Sequence, residues 1–374
     1  MSEINAGIFK KEEGGSSPEL IGKTELTSPY FMVPPSGNIA SRPQGCSPGT
    51  LRFNTDIGSL EYFKGDGLGW ETINRVSPSL GKTGTGSNTG VGARGIFYAG
   101  QNPSEVDTID YITISTLGNA EDFGNATDTR DEVMCCASQT RGVGGGGYDG
   151  GTDDKIDFVT FSSTGNATDF GNLSVARFSA AGMGDNVRGI FSGGATPTYQ
   201  DVMDYITIAT EGNAVDFGNL AEANYQAAAC SSSTRGIIGG GANPSATNKI
   251  QFVTIRTEGN TTNFGELTAS RRGLSSSSNA TRGLFYAGLS NTNTIEYITI
   301  ATLGNAVDFG DLQYATQEGA ACASSTRGIM AGGNPNVDTI NYVEIMTTGD
   351  AIDFGNLTQA RKRQGGCSNA HGGL

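Results

Sequence analysis

Five aspartates occupy one recurring slot, Asp122, Asp169, Asp216, Asp308 and Asp353, and Asn263 fills it a sixth time. Each stands shortly after Gly-Asn-Ala or a variant of it. Oxygen-rich turns of this kind can hold Ca2+, and acid pairs can cleave glycosidic bonds. Asx side chains more often bond their own backbone. An active site breaks repeat symmetry at one place, and these acids respect it. They are therefore read as structural turns, alone or paired with a repeated arginine, and no metal, cofactor or catalytic residue is expected. The single histidine, His371, leaves Ser-His-Asp and Cys-His chemistry almost without a base. The cysteines lack Cys-x-x-Cys spacing. Gly144 to Gly147 runs into neither Gly-Lys-Ser/Thr nor a helical pattern, so it is no phosphate loop.

What positions these residues is a repeat. Arg-Gly recurs at Arg94, Arg141, Arg188, Arg235, Arg282 and Arg327, spaced 47, 47, 47, 47 and 45 residues apart, with a degenerate copy near Gly372. Within one copy, Ala227 to Ser231 suits an innermost strand, Arg235 to Gly241 a second, Ile250 to Arg256 a third and Thr262 to Leu267 an outer fourth. Four strands at this period predict an all-β, six-bladed propeller over 94–374. Its surplus C-terminal strand, Gln364 to Ala370, is expected to close the ring on the first copy, with residues 83–93 as a competitor.

Two aromatic ladders fit inter-blade packing. They are Tyr111, Phe158, Tyr205, Phe252, Tyr297 and Tyr342, and Phe123, Phe170, Phe217, Phe264, Phe309 and Phe354. Cys136, Cys230, Cys322 and Cys367 share a slot with Met183 and Ser277, which predicts buried free thiols. The six Arg-Gly arginines form a ring by symmetry, read as structural ion pairs. Eleven residues before each Arg-Gly slot stand Arg130, Arg177, Arg271 and Arg361, with Asn224 and Thr316 as exceptions.

With 57 glycines and 17% charged residues, the composition suits tightly turning strands and predicts almost no helix. The net charge of −14 argues against nucleic acid as a partner. No apolar run is long enough for a membrane span, and the first residues do not read as a signal peptide.

Residues 1–80 do not repeat, and 81–93 read as a linker. Lys10 to Ser28 reads as an extended arm. Leu51–Asn54, Leu60–Phe63 and Trp70–Ile73 read as a small three-stranded patch with too little core to stand alone, so it is expected to pack on a partner.

Loops between second and third strands share a face with the inter-blade residues, and they differ in every copy. Variable loops on a rigid scaffold are the natural place for recognition. Tyr148, Tyr199, Phe178 and Tyr225, with Arg177, Arg271 and Arg272, suit stacking on sugars and bonding to their hydroxyls; Lys362 lies on the same face.

The small-residue strand, the apolar strand ending in Gly-Gly and the aromatic-bearing strand resemble the kelch type of repeat, without its usual Trp. Arg42-Pro43, Pro48 to Asp56, Leu60 to Gly65 and Trp70 resemble a module of tailed-bacteriophage structural proteins, marine ones especially. Arg-Gly-Ile-Phe, Ile-Asp-Tyr-Ile-Thr-Ile and Asp-Phe-Gly-Asn-Leu are similar to repeats in the same proteins. These resemblances imply a non-enzymatic virion component of tail-fibre or adhesin type, homo-oligomeric in the particle. Its N-terminal segment, through Phe53, Tyr62 and Trp70, is expected to dock on other virion proteins, and its propeller to meet a host-surface glycan or protein. A capsid-decoration or tail-assembly protein and a glycan-cleaving enzyme are the alternatives.

Overall fold

Runs of β-branched and aromatic residues, cut every few positions by glycine, make strands throughout. The computed structural model describes residues 34–56, 59–67, 69–72, 93–289 and 292–374. Most of the expected arm and linker (10–28, 81–92), nearly all of the competing closure segment and Ile73 fall outside them. The described residues form seven four-stranded sheets and no α-helix. Contacts divide the chain into Met1–Ser77 and Pro78–Leu374.

In the first unit, Ser36–Gly37 pairs in parallel with Leu51–Asn54, followed by Ser59–Phe63 and Trp70–Thr72 in antiparallel order. The sequence had suggested three strands, and the short parallel one is an addition. In place of a large apolar core, Glu61 is fully buried. It pairs with Arg42 at 2.6 Å and Arg52 at 3.5 Å and accepts from Asn54 Nδ2 at 2.9 Å. The hydrogen bonds from Arg42 hold its carboxyl below the usual carboxylate range.

The second unit holds six antiparallel sheets, each built from innermost to outermost strand in chain order. Sheet I is the exception. Its inner strand Gly365–Ser368 comes from the C-terminus and pairs with Arg94–Gln101, followed by Glu105–Thr113 and Glu121–Asn125. The expected closing strand is therefore present, two residues shorter at its far end. Sheet II is Met134–Ala137, Arg141–Tyr148, Thr152–Thr160 and Thr168–Asn172. Sheet III is Ala181–Gly184, Arg188–Ser192, Val202–Thr207 and Val215–Asn219. Sheet IV is Ala228–Ser231, Arg235–Gly239, Thr247–Thr254 and Thr262–Arg271. Sheet V is Ser275–Ser278, Arg282–Tyr286, Thr292–Thr299 and Val307–Thr316. Sheet VI is Ala320–Ala323, Arg327–Ala331, Val337–Glu344 and Ile352–Arg361.

Each sheet is fastened to the next by the same devices, and the last to the first. The Arg-Gly arginine lies over the third-strand ring of its own sheet, as Arg141 does over Phe158 at 4.1 Å. Its Nη1 donates to a backbone carbonyl of the following sheet: Arg94 to Phe161, Arg141 to Ile208, and so on to Arg327, which reaches Ile114 of sheet I at 3.1 Å. The expected ion pairs form only in part, to Glu211, Glu258 and Glu344 on the exposed side. The third-strand aromatic ladder is thus a bed for arginine. Each of its rings also meets the fourth-strand Phe edge-on at 5.7–6.1 Å. The fourth-strand Phe residues do pack between sheets, as Phe123 does with Val159 and Phe161.

The Thr-x-Gly-Asn-Ala turn is a second latch. Gly165 N–H donates to Phe123 O, and Asn166 Oδ1 accepts from Asn125 N–H; Gly118 and Asn119 do the same for Phe354 and Asn356 across the junction of sheets VI and I. A Cβ on Gly124 or Gly355, both at positive φ, would collide with the carbonyl of the neighbouring turn, which accounts for glycine in Asp-Phe-Gly. The glycine of Arg-Gly answers a different crowding: the cysteine slot of the preceding sheet packs on it, Cys136 on Gly189 and Cys230 on Gly283. All six cysteines are free, and all but Cys46 are buried. Burial pushes the Cys230 thiol up to about 12.

The third device is a buried polar pair. Arg130 meets Asp157, Arg177 meets Asp204 at 3.0 Å, Arg271 meets Glu296 at 2.7 Å and Arg361 meets Asp110 at 3.0 Å. Where the sequence departs from arginine, the partner slot departs too: Asn224 is matched with Gln251 and Thr316 with Asn341. Each third-strand partner also accepts a backbone N–H of the preceding sheet, for example Asp204 from Ser174 at 3.1 Å and Gln251 from Ala221 at 3.0 Å.

Candidate functional site

The face that carries the variable loops is organised around a ring of backbone hydrogen bonds. Glu132, Ser179, Gln226, Gly273, Glu318 and Arg363 take equivalent places just before the inner strand of each sheet, all left-handed, with φ from +53° to +64°. Glu132 N–H donates to Arg363 O at 2.7 Å, Ser179 to Glu132 at 3.2 Å and Gln226 to Ser179 at 2.9 Å. Gly273 donates to Gln226 at 2.9 Å, Glu318 to Gly273 at 2.8 Å and Arg363 to Glu318 at 2.7 Å. Five side-chain-bearing residues hold an unfavourable backbone conformation because the ring of bonds holds them there. Sequence reasoning missed this ring; the six residue types share no property, and Gly273 alone hints at the conformation.

The side chains of the ring form a network at its centre. Arg363 pairs with Glu132 at 3.2 Å and Glu318 at 3.0 Å, Ser179 donates to Glu132, and Gln226 donates to Glu318 at 3.3 Å. A cavity of about 90 Å³ opens among them, beside Gly273. Behind Arg363 lies Asp131, 1% exposed, its carboxylate 3.5 Å from the guanidinium and without a hydrogen bond. Burial, with Glu132 nearby, raises its pKa to about 7.

Outside the ring, the residues before five of its six members bridge to the variable loops: Asp131 to Tyr148, Phe178 to Ala195, Tyr225 to Ala242, Gln317 to Asn334 and Lys362 to Gln101. These bridges place the variable loops and inter-sheet residues on one face, as expected. They also hold an arc of rings over sheets II to IV. Tyr148 meets Phe178 edge-on at 5.6 Å, and Tyr199 stacks on Tyr225 at 4.6 Å with 4° between planes. Tyr148 is 37% exposed, while Phe178, Tyr199 and Tyr225 are half-buried. Arg272 continues the arc onto sheet V, donating to Tyr225 Oη with its guanidinium 5.6 Å from the ring.

Two residues expected on this surface are not available to a ligand. Arg177 is 0% exposed and Arg271 4%, and both are engaged by the buried acids Asp204 and Glu296. Their eleven-residue offset from Arg-Gly places them under the loops. Lys362 is half-buried and bridges sheet I to its own loop through the backbone. In the first unit, strand register places Phe53 and Tyr62 on one face, whereas Trp70 packs against Phe63 at 5.4 Å and under Arg52 on the other. The three do not form a single patch.

The repeated aspartates Asp122, Asp169, Asp216, Asp308 and Asp353 are exposed, and the ion pairs of the Arg-Gly arginines go to glutamates instead. Among the described residues, no cluster of His, Cys, Asp and Glu is arranged to hold a metal ion. No helix among the described residues is long and apolar enough to cross a membrane. His371 lies beside the inner strands. It borders a cavity of about 50 Å³ bounded by the inner strands of all six sheets, at the end away from the ring. Its Nδ1 accepts from Gly373 N–H at 3.1 Å, so Nε2 carries the proton to Ala137 O at 2.9 Å. Burial lowers its pKa, which suits this neutral form.

No protein-family model matches the chain, and no curated protein matches it.

Proposed function

We propose that the second unit is a six-bladed, kelch-like β-propeller acting as a non-catalytic binding module, with its variable face as the docking surface. The observation that carries this reading is the arc Tyr148, Phe178, Tyr199, Tyr225 and Arg272. Aromatic rings held by paired backbone in rigid positions are what a sugar's apolar face stacks on, at little entropic cost. The devices that hold neighbouring sheets together recur almost unchanged, whereas the loops above them differ, which is how a scaffold separates stability from recognition.

The likeness of residues 42–70 and of the repeats to tailed-phage structural proteins supports a place in a virion. In this reading residues 1–80 anchor the chain to other virion proteins, several copies assemble per particle, and the propeller engages a glycan on the host surface. The test is a glycan array probed with the full chain and with Tyr199→Ala and Tyr225→Ala. Binding that is lost in both variants supports the reading. Binding that is indifferent to them refutes the assigned face, and capture of virion proteins alone refutes host attachment.

A further inference from the structure

Arg272 stands apart from the other described arginines. Each of the others spends its guanidinium on a carboxylate or a backbone carbonyl, whereas the single hydrogen bond of Arg272 goes from Nη1 to the Tyr225 hydroxyl. Its Nε and Nη2 edge donates to no described group. Of the acids of this face, Glu132 and Glu318 pair with Arg363 and Glu222 with Lys249 at 2.5 Å, and no described acid pairs with Arg272. Arg272 is therefore a cation without a counter-charge, held against a stacked aromatic pair. Its backbone is fixed by Leu289 N–H, which donates to its carbonyl at 2.8 Å, and by Gly273 of the ring next to it.

Resting on the binding function proposed above, we infer that the arc takes a carboxylate-bearing sugar, its ring on the tyrosines and its carboxylate on the open edge of Arg272. Guanidinium and carboxylate match as a two-pronged, charge-assisted pair, which a hydroxyl of a neutral sugar does not reproduce. The chain's net charge of −14 does not forbid an anionic ligand, because exposed charges more than about 8 Å apart are largely screened at physiological salt. What decides at the arc is the guanidinium edge of Arg272, which no described carboxylate takes up.

The experiment compares binding of galacturonic acid hexamers with the same hexamers after reduction of their carboxyls to alcohols. The full-length chain, Arg272→Gln, Arg272→Lys and Tyr199→Ala are tested. The expected result is that the acidic form binds about tenfold tighter or more. Arg272→Gln should erase that preference, Arg272→Lys should keep part of it, and Tyr199→Ala should weaken both forms. Unchanged melting temperature of Arg272→Gln guards against misfolding. Equal binding of both hexamers, or a preference that survives Arg272→Gln, overturns the inference. If the array finds neutral glycans held through Tyr199, the binding function stands and this inference falls. Absence of any glycan binding removes both.

Discussion

Removing one member of a buried pair should cost far more than exchanging both, and the chain contains its own control. Arg177 and Asp204 are each 0% exposed, 3.0 Å apart, and Asp204 also accepts from Ser174 N–H and Oγ–H. Asp204→Gln leaves the guanidinium buried without a counter-charge, which costs about 3–5 kcal/mol. The equivalent place one sheet later holds Asn224 and Gln251, where Asn224 donates to Gly240 O at 2.8 Å and Gln251 accepts from Ala221. The double variant Arg177→Asn/Asp204→Gln copies that neutral pair and should cost only about 1–2 kcal/mol, chiefly for lost volume. The double variant should thus be about 1–4 kcal/mol more stable than Asp204→Gln alone, and Arg177→Asn completes the cycle. Urea unfolding followed by circular dichroism measures it, since the only tryptophan, Trp70, lies in the other unit. Additive single and double effects would refute the claim that the two slots vary together because one charge requires the other.

Asp131 should make the fold less stable as pH rises. Its carboxyl titrates near 3.8 when unfolded and about 7 when folded, so the folded state holds the extra proton between those values. Stability is greatest below about pH 4 and falls until about pH 7 for this group alone. Asp131→Asn should remove that slope and raise stability at pH 8 by at most about 4 kcal/mol, which solvent near the ring reduces, read as a higher melting temperature. Lower stability of the variant at pH 8 would contradict this. Gly355→Ala should destabilise by about 1–3 kcal/mol, because the new Cβ meets Gly118 O at the junction of sheets VI and I; hydrogen exchange at Gly118 N–H should rise with it. Truncation after Gln359 removes Arg361, Arg363 and the strand Gly365–Ser368, leaving Arg94–Gln101 as an open edge. A chain that still melts in one sharp transition would refute the closing role of that strand.

The period, the glycine placement and the ladders were legible in the sequence because they are local: they set strand boundaries and which side of a strand is buried. The same locality explains why the C-terminal strand could be anticipated, since a surplus first strand and a missing one are both visible in the repeat. The errors share a cause as well. Arg177 and Arg271 look like surface cations in sequence, and only the third strand of the next sheet, 27 and 25 residues on, supplies the acids that bury them. The Arg-Gly arginines and the Gly-Asn-Ala turns looked self-contained, yet their partners belong to the following sheet.

Order along the chain was thus decided by short-range pattern, in which each residue type answers to neighbours a few positions away. Contacts between sheets answer to residues about 25 to 250 positions away, and no local pattern encodes which of several candidates will meet. The ring from Glu132 to Arg363 is the plainest case, six dissimilar residues made equivalent by backbone geometry. Arg272 is the case that matters for function: it differs from the other described arginines in having met neither an acid nor a backbone carbonyl, and that is a property of the folded chain.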